Sequence, residues 1–337
     1  MNMDTEMKKI SVIVPFYGVE KYIEQCVKSL MEQTLTEGVE YIFINDASID
    51  HSLEILSSTL EKYPDRKNQV VVIEHLQNKG LPAARNTGLS VATGEYVYHC
   101  DSDDYVEKDL LENLYLAAKN NNADIVWCDY TEVFHNGCRT KHQPQYKSSI
   151  EALKGMLTGK MEYNVWNKLV KRNLYIDNQI VFPSGYPMGE DLTMLMLFAH
   201  ASNIASVSKS LYYYNRINPG ALTFSMSEEK QRALHHNVKR VEDYLILKYG
   251  DKLNLELASL KLNLKWPLLV SGSNFENYRK WNKWFPEANN YIEVQKVSFR
   301  VKLLELCALK KFYWVIWMHY WMICRLYYSF KYNKTGK

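Results

Sequence analysis

Asp101-Ser102-Asp103-Asp104 puts three carboxylates into four residues, directly after the apolar run Tyr96-Val97-Tyr98-His99-Cys100. Like charges this close repel, and a hard cation among them is the simplest way to keep them ionised. Oxygen-only ligands suit Mg²⁺ or Mn²⁺, which commonly sit on substrate phosphates rather than in cages built wholly of protein. The tetrapeptide therefore points to a metal-bound diphosphate at the carboxyl end of a strand. The competing reading is an acidic turn capping a helix that starts near Lys108, since Asp is a favoured N-cap. Two further polar clusters follow apolar runs in the same way: Pro15-Phe16-Tyr17 after residues 10–14, and Asn45-Asp46-Ala47-Ser48 after residues 41–44.

A frame must bring these clusters together. Residues 10–14, 41–44, 70–73, 96–100 and 124–128 read as buried strands, short and rich in β-branched and aromatic side chains. Residues 20–34 carry Ile23, Val27, Leu30 and Met31 on one helical face, and residues 50–62 carry Leu53, Leu56 and Leu60 on another. Pro82 sits where the next helix opens, a good first-turn position. Strands alternating with helices of this length predict a mostly parallel sheet covered on both faces, with ligands beyond the carboxyl ends of its strands. All three polar clusters fall at such ends. The pattern does not give the strand order. It contains no GxGxxG after the first strand and no GxxxxGK[ST], which argues against a dinucleotide dehydrogenase and a P-loop NTPase.

The bulk numbers set the class. The chain has 337 residues, of which 47% are hydrophobic and 23% charged, so it is globular rather than disordered. A net charge of +3 is too small to argue for nucleic acid, and none is expected as a partner. The six cysteines form no CxxC pair and no zinc spacing, which suits a reducing, cytoplasmic environment. Residues 1–9 are polar and lack the apolar core of a signal peptide.

Six ordered segments resemble the family 2 glycosyltransferases. They are Ile10-Ser11-Val12-Ile13-Val14-Pro15-Phe16-Tyr17, the DDGSxD-like Asn45-Asp46-Ala47-Ser48-Ile49-Asp50, and Asn78-Lys79-Gly80 leading to Ala84-Arg85-Asn86. Gly94-Glu95-Tyr96 leading to Asp101-Ser102-Asp103-Asp104, Val165-Trp166-Asn167-Lys168-Leu169, and Gly189-Glu190-Asp191 complete the set. The resemblance covers about the first two-thirds of the chain. It implies a GT-A fold, a mostly parallel sheet flanked by helices with a helical C-terminal extension, and an inverting sugar transfer of the bacterial surface-polysaccharide type. On that basis Asp46 bonds the nucleobase, Arg85 lies against the nucleotide, and Pro15, Phe16 and Tyr17 line its pocket with Ser102 nearby. Asp103 is the main ligand of Mn²⁺ or Mg²⁺, Asp101 lies near the ribose and the metal, and Asp191 is the general base, with Glu190 its competitor. Arg216 and Lys168 are candidate diphosphate contacts, although Lys168 reads more readily as structural. His75 and His99 read as strand residues without a role.

The chemistry asks for the same residue types. A departing nucleoside diphosphate builds up negative charge, which a divalent cation stabilises. A hydroxyl attacking carbon needs a base such as Asp. A helix starting at Gly189-Glu190-Asp191 would favour the ionised carboxylate and weaken it as a base, so burial must compensate. Asn45 and Ala47 depart from the DDGS pattern, which weakens the case for uracil. The absence of a QxxRW-like motif predicts one sugar per binding event. The rival readings are an inert nucleotide-sugar-binding or scaffold protein and, less favoured, a nucleotidyltransferase.

The expected organisation is a catalytic domain over 1–224, with a nucleotide-binding half (1–130) and an acceptor half (131–224), followed by a helical region over 225–337. Phe312 to Cys324 form an apolar, Trp-rich run shorter than the ~20 residues a spanning helix needs. Lys310 and Lys311 precede it, Arg325, Lys331, Lys334 and Lys337 follow it, and Glu305 is the only acid from Arg300 onward. This predicts a helix near 301–330 lying on the inner face of the cell membrane. The expected partners are a nucleotide-sugar donor, a saccharide or lipid-linked saccharide acceptor, and that membrane surface.

Overall fold

The computed structural model describes residues 8–218 and 227–326, with side chains described as far as residue 323. The chain divides into two compact units, Met1–Leu153 with Met161–Leu245, and Lys154–Lys160 with Ile246–Lys337. The boundary expected at 224/225 lies in a segment outside the described residues.

The first unit alternates strands and helices: β1 (Ile10–Phe16), α1 (Ile23–Met31), β2 (Val39–Asn45), α2 (Ser52–Leu60), β3 (Val70–Glu74), α3 (Leu81–Val91) and β4 (Tyr96–His99). Next come β5 (Tyr105–Val106), α4 (Leu110–Asn120), β6 (Ile125–Phe134), β7 (Gly137–Lys141), α5 (Ser149–Leu157), β8 (Lys168–Lys171), α6 (Arg172–Asp177), α7 (Thr193–Phe198), β9 (Ile204–Asn215) and α8 (Glu228–Tyr249). One sheet runs β3-β2-β1-β4-β8-β6-β9-β5, with β7 added on β6. The strands β3, β2, β1 and β4 are all parallel. β8 turns the direction, antiparallel to both β4 and β6, and β6 pairs parallel with β9.

Pro15 does not end β1 as its missing N–H suggests it should. The β1–β4 pairing stops at Ile13 opposite His99, and the Ile13 carbonyl accepts the Cys100 N–H at 3.0 Å. Two residues on, Pro15 faces that same edge, where no ladder bond remains to be lost, while β1 continues to pair with β2 as far as Phe16 opposite Asn45. Helix α3 lies close on these strands: a Cβ on Gly88 would come within 2.5 Å of Ile13 Cγ2 and 2.9 Å of Ile44 Cδ1. Every residue of β1, β2 and β4 is buried, as expected for strands covered on both faces.

The second unit is helical: α9 (Asn254–Lys265), α10 (Pro267–Val270), α11 (Phe275–Lys283), α12 (Phe299–Leu309) and α13 (Tyr313–His319), followed by a π-helical turn, Tyr320–Leu326. The buried Lys265 ammonium pins it, donating to the carbonyls of Trp284 (3.0 Å) and Phe285 (3.4 Å) and to Asn289 Oδ1 (2.5 Å), 4.0 Å from the Trp281 ring centroid. Among the described residues no helix is long and apolar enough to cross a membrane. Lys331, Lys334 and Lys337 lie outside them.

Candidate active site

Because β2, β1 and β4 are neighbours, their carboxyl ends meet. At the end of β1, Pro15 and Phe16 are buried and Tyr17 is half exposed; the Phe16 carbonyl accepts the Asp46 N–H at 3.0 Å. At the end of β2, Asn45 Oδ1 accepts the Ser48 N–H at 2.9 Å, a tight Asx-type turn. Ala47 within that turn has φ +60°, the left-handed region where the family pattern carries glycine. The Asp46 carboxylate is almost fully buried and engaged. Its Oδ1 accepts from Lys79 N–H (2.9 Å) and from His75 Nδ1 (2.6 Å), and its Oδ2 accepts from Gly80 N–H (2.8 Å).

The three carboxylates after β4 divide their work. Asp104 is buried, accepting from the Tyr212 hydroxyl (2.5 Å) and the Asn215 N–H (2.7 Å), so it anchors the end of β9. Ser102 is buried. Asp103 accepts from Asn218 Nδ2 at 2.8 Å, and Asp101 accepts from Arg85 Nη2 at 2.8 Å. Burial first, and the Asp101 charge second, push the Asp103 carboxyl above its ordinary range. Two repelling carboxylates at a strand end fit a divalent cation that takes its other ligands from phosphate and water. Among the described residues no group of three or more His, Cys, Asp or Glu forms a complete protein cage, so a cation here would rest on these carboxylates and the substrate.

Arg85 joins this cluster to the later motifs. Its guanidinium is 1% exposed; besides Asp101 it reaches Glu190 Oε1 (3.3 Å) and Asp191 Oδ1 (3.5 Å). The resemblance sets Arg85 against the nucleotide; here its contacts run to three carboxylates, with the Phe182 ring centroid 5.5 Å away. The next residue holds that ring in place: Asn86 donates to the Phe182 carbonyl (2.8 Å) and accepts its N–H (2.8 Å). One guanidinium is shared among three carboxyl groups, too little positive charge to keep all of them ionised. Burial, then the neighbouring carboxylate charge, lifts Glu190 to about 8. Burial likewise lifts Asp191 to about 6, although Arg85 pulls it down. Burial thus outweighs the lowering that Arg85 and the helix start exert on Asp191.

Local backbone fixes Asp191. Gly189 has φ +83° and leads into a 3₁₀ turn, Glu190–Leu192, before α7. Helix α8 braces the approach, with Asn237 Nδ2 donating to the carbonyls of Tyr186 (3.1 Å) and Met188 (2.9 Å) and His236 stacked on Tyr186 at 3.6 Å. The Val165 N–H, with Arg85 and Lys168, works to hold the Asp191 carboxyl down against its burial. Lys168 holds the loop carrying Val165: its buried ammonium donates to the carbonyls of Glu162 (2.9 Å) and Asn164 (2.7 Å) and to Asn167 Oδ1 (2.8 Å). All three of its protons are thus committed to that loop, and burial lowers its pKa to about 7. Arg216 is exposed beyond the end of β9, against the Tyr214 ring.

The structure therefore gathers Asp101, Arg85 and Asp191 at one point, with Glu190 beside them and Asp46 at the neighbouring strand end. Reasoning from sequence passed over Phe182 and Asn237, and gave no role to His75 or to Asn86 of the Ala84-Arg85-Asn86 motif. His75 follows an apolar strand just as the recognised clusters do, so the same rule could have found it; Asn86 lay inside a recognised motif but its partner did not, and Phe182 and Asn237 act through contacts between distant segments and left no local signal. His99 is buried, with neither ring nitrogen bonded among the described residues, and its ring packs edge-on against Phe182.

The model of the family described as glycosyl transferase family 2 matches residues 11–188, ending three residues before Asp191. The glycosyltransferase EpsJ of Bacillus subtilis (strain 168) is 34% identical over 223 residues, 64% of this chain and 62% of EpsJ, so the match spans somewhat less than two thirds of that relative. The glycosyltransferase GlyG of Streptococcus pneumoniae serotype 4 is 32% identical over 220 residues, 61% of this chain and 70% of GlyG. The crystal structure of S. aureus TarS 1–349 in complex with UDP-GlcNAc superposes with a TM-score of 0.69, covering 93% of this chain and 91% of TarS at 21% identity. That likeness establishes the GT-A fold.

Proposed function

This chain belongs to glycosyl transferase family 2, and we propose that it moves a sugar from a nucleotide-sugar, a UDP-sugar, to an acceptor hydroxyl with inversion. The observation that carries this reading is Arg85, whose single guanidinium touches both the strand-end carboxylate suited to a diphosphate and the Glu190-Asp191 pair suited to a base.

In this reading Pro15, Phe16 and Tyr17 line the nucleoside pocket, Asp46 accepts from the base, and Asp101 and Asp103 would hold Mn²⁺ or Mg²⁺. The cation, when bound, neutralises charge on the departing diphosphate. Asp191 takes the proton from the acceptor hydroxyl as its oxygen bonds to the anomeric carbon. The bond from that carbon to the diphosphate oxygen breaks, and the nucleoside diphosphate leaves with the electron pair. Arg85 keeps the base ionised and oriented, and Lys168 steadies the loop behind it. A resident of surface-polysaccharide synthesis would work on a lipid-linked saccharide at the inner face of the cell membrane. The exposed apolar side chains of α12, α13 and the link between them, Phe299, Phe312, Trp314 and Trp317 among them, support that placement.

The test is UDP release from a panel of UDP-sugars with Mn²⁺, comparing the native protein with Asp103→Ala. Release from one or two donors, lost in the variant, is the expected result. Donor binding without turnover on any acceptor would overturn the transferase reading in favour of an inert binder.

A further inference from the structure

The sequence gives His75 no role, yet its buried imidazole links two elements of the donor end. Nδ1 lies 2.6 Å from Asp46 Oδ1, and Nε2 lies 2.9 Å from the Thr87 hydroxyl on α3. The His75 N–H donates to the Asn45 carbonyl at 2.9 Å, so its backbone is tied to the same strand end. Both side chains of the His75–Asp46 pair are only 4% exposed. An ionised carboxylate can only accept, so Nδ1 must carry the proton in this bond. Nε2 is then met by Thr87, whose hydroxyl also lies 3.1 Å from the Ala83 carbonyl one helical turn earlier.

Counting acceptor sites shows what this does. A carboxylate offers about four lone-pair directions. Asp46 uses three: His75 and the Lys79 N–H on Oδ1, and the Gly80 N–H on Oδ2. One direction on Oδ2 is left. Without His75, the carboxylate could rotate about its last bond and turn that lone pair away.

We infer that His75 is a positioning residue for the donor nucleobase, fixing the Asp46 carboxylate so that its remaining lone pair accepts a base N–H. This rests on the reading above in which Asp46 meets the base. The inference carries a specificity. Uracil presents an N–H at its third ring position, where cytosine presents a lone pair, so a fixed carboxylate acceptor favours the first and repels the second.

The experiment measures UDP and CDP affinity by calorimetry with Mn²⁺, for the native protein and four variants, each checked for an unchanged melting profile. His75→Asn places an amide where Nδ1 stood and keeps the bond to Asp46. His75→Gln reaches the Nε2 position instead, and His75→Leu keeps neither. Loss of a hydrogen bond to a charged group is expected to reduce the UDP-over-CDP preference about tenfold in the Gln and Leu variants, with the Asn variant retaining it. A preference equal in all three and in the native protein would overturn the role of His75. The fourth variant, Asp46→Asn, isolates the underlying reading: if it keeps the native preference, Asp46 does not meet the base, and both inferences fall. A loss in all three His75 variants alike would mark the histidine as packing rather than positioning.

Discussion

Arg85 sets one buried positive charge against Asp101, Glu190 and Asp191, and this imbalance decides how the site titrates. Glu190 rises to about 8 and Asp191 to about 6, above the usual carboxylate range. An acid whose folded pKa is raised holds its proton longer in the folded state, so its contribution to stability is full only below the ordinary carboxylate value and is lost progressively as pH rises from there through the folded value. Asp191→Asn removes that penalty. In donor-free protein it is expected to raise the melting temperature most at pH 8, by less at pH 5, which lies between the ordinary aspartate value and about 6, and by least as pH falls below the ordinary aspartate value, a trend that thermal melts across this range read directly. The same variant should lose about 10²- to 10⁴-fold in turnover, and native kcat/KM should fall as pH drops through about 6, where the base takes up its proton. Ala47 is a separate case. At φ +60° an alanine carries a left-handed strain of about 1–2 kcal/mol, partly offset by the backbone entropy a glycine loses on folding. Ala47→Gly is therefore expected to stabilise by about 1 kcal/mol, read as a higher denaturant midpoint with an unchanged slope. At this scale the strand-end clusters were legible because chemistry concentrates carboxylates locally. The division of Asp104 from Asp101 and Asp103 was not, because it depends on Tyr212 and Asn215, more than a hundred residues away.

Helix α3 carries the residue on which both motif groups meet, and its distance from the sheet is set by Gly88. The Cβ of an alanine there would lie 2.5 Å from Ile13 Cγ2 and 2.9 Å from Ile44 Cδ1, both in fully buried strands that cannot give way. Gly88→Ala must push the helix outward, at a cost of about 1–3 kcal/mol typical of overpacking. Because Arg85 rides on the same helix, the variant should also lose turnover well beyond its loss of stability; a denaturant titration and kinetics on the same preparation separate the two. Elements of the first half could be read from sequence because each buried strand is a continuous apolar run and each helix shows one apolar face. The second half resisted. β9 is twelve residues long, but Ser206, Ser208, Lys209 and Ser210 interrupt its apolar character, and only its pairing with β6 across a bulge makes it a strand. The reversal at β8 had no local signal either, since its four residues draw their direction from β4 and β6.

Across the whole molecule the charge is nearly balanced, at +3, yet the end of the chain is not. From Arg300 onward the one acid is Glu305, and it is buried, so every charge that α12 and α13 show to solvent is positive. On α13 and the turn after it, Trp314, Trp317, Met318 and Met322 are all exposed at spacings of three, four and eight residues, one face of a helix. On α12, Phe299 and Leu303 are exposed four residues apart. Two copies of such a surface would repel one another, whereas an anionic leaflet satisfies the basic side chains and the tryptophans at once. The prediction is that the full-length protein co-sediments with vesicles containing phosphatidylglycerol and much less with phosphatidylcholine alone. Raising salt should weaken the binding without abolishing it, since the charge component is screened and the apolar one is not. Trp314→Ser combined with Trp317→Ser should reduce vesicle binding about tenfold or more, each buried aromatic side chain contributing about 1.5–3 kcal/mol, while UDP affinity stays at the native value. Native protein that remains in the supernatant with anionic vesicles would remove the membrane from this reading and leave the apolar face to a protein partner.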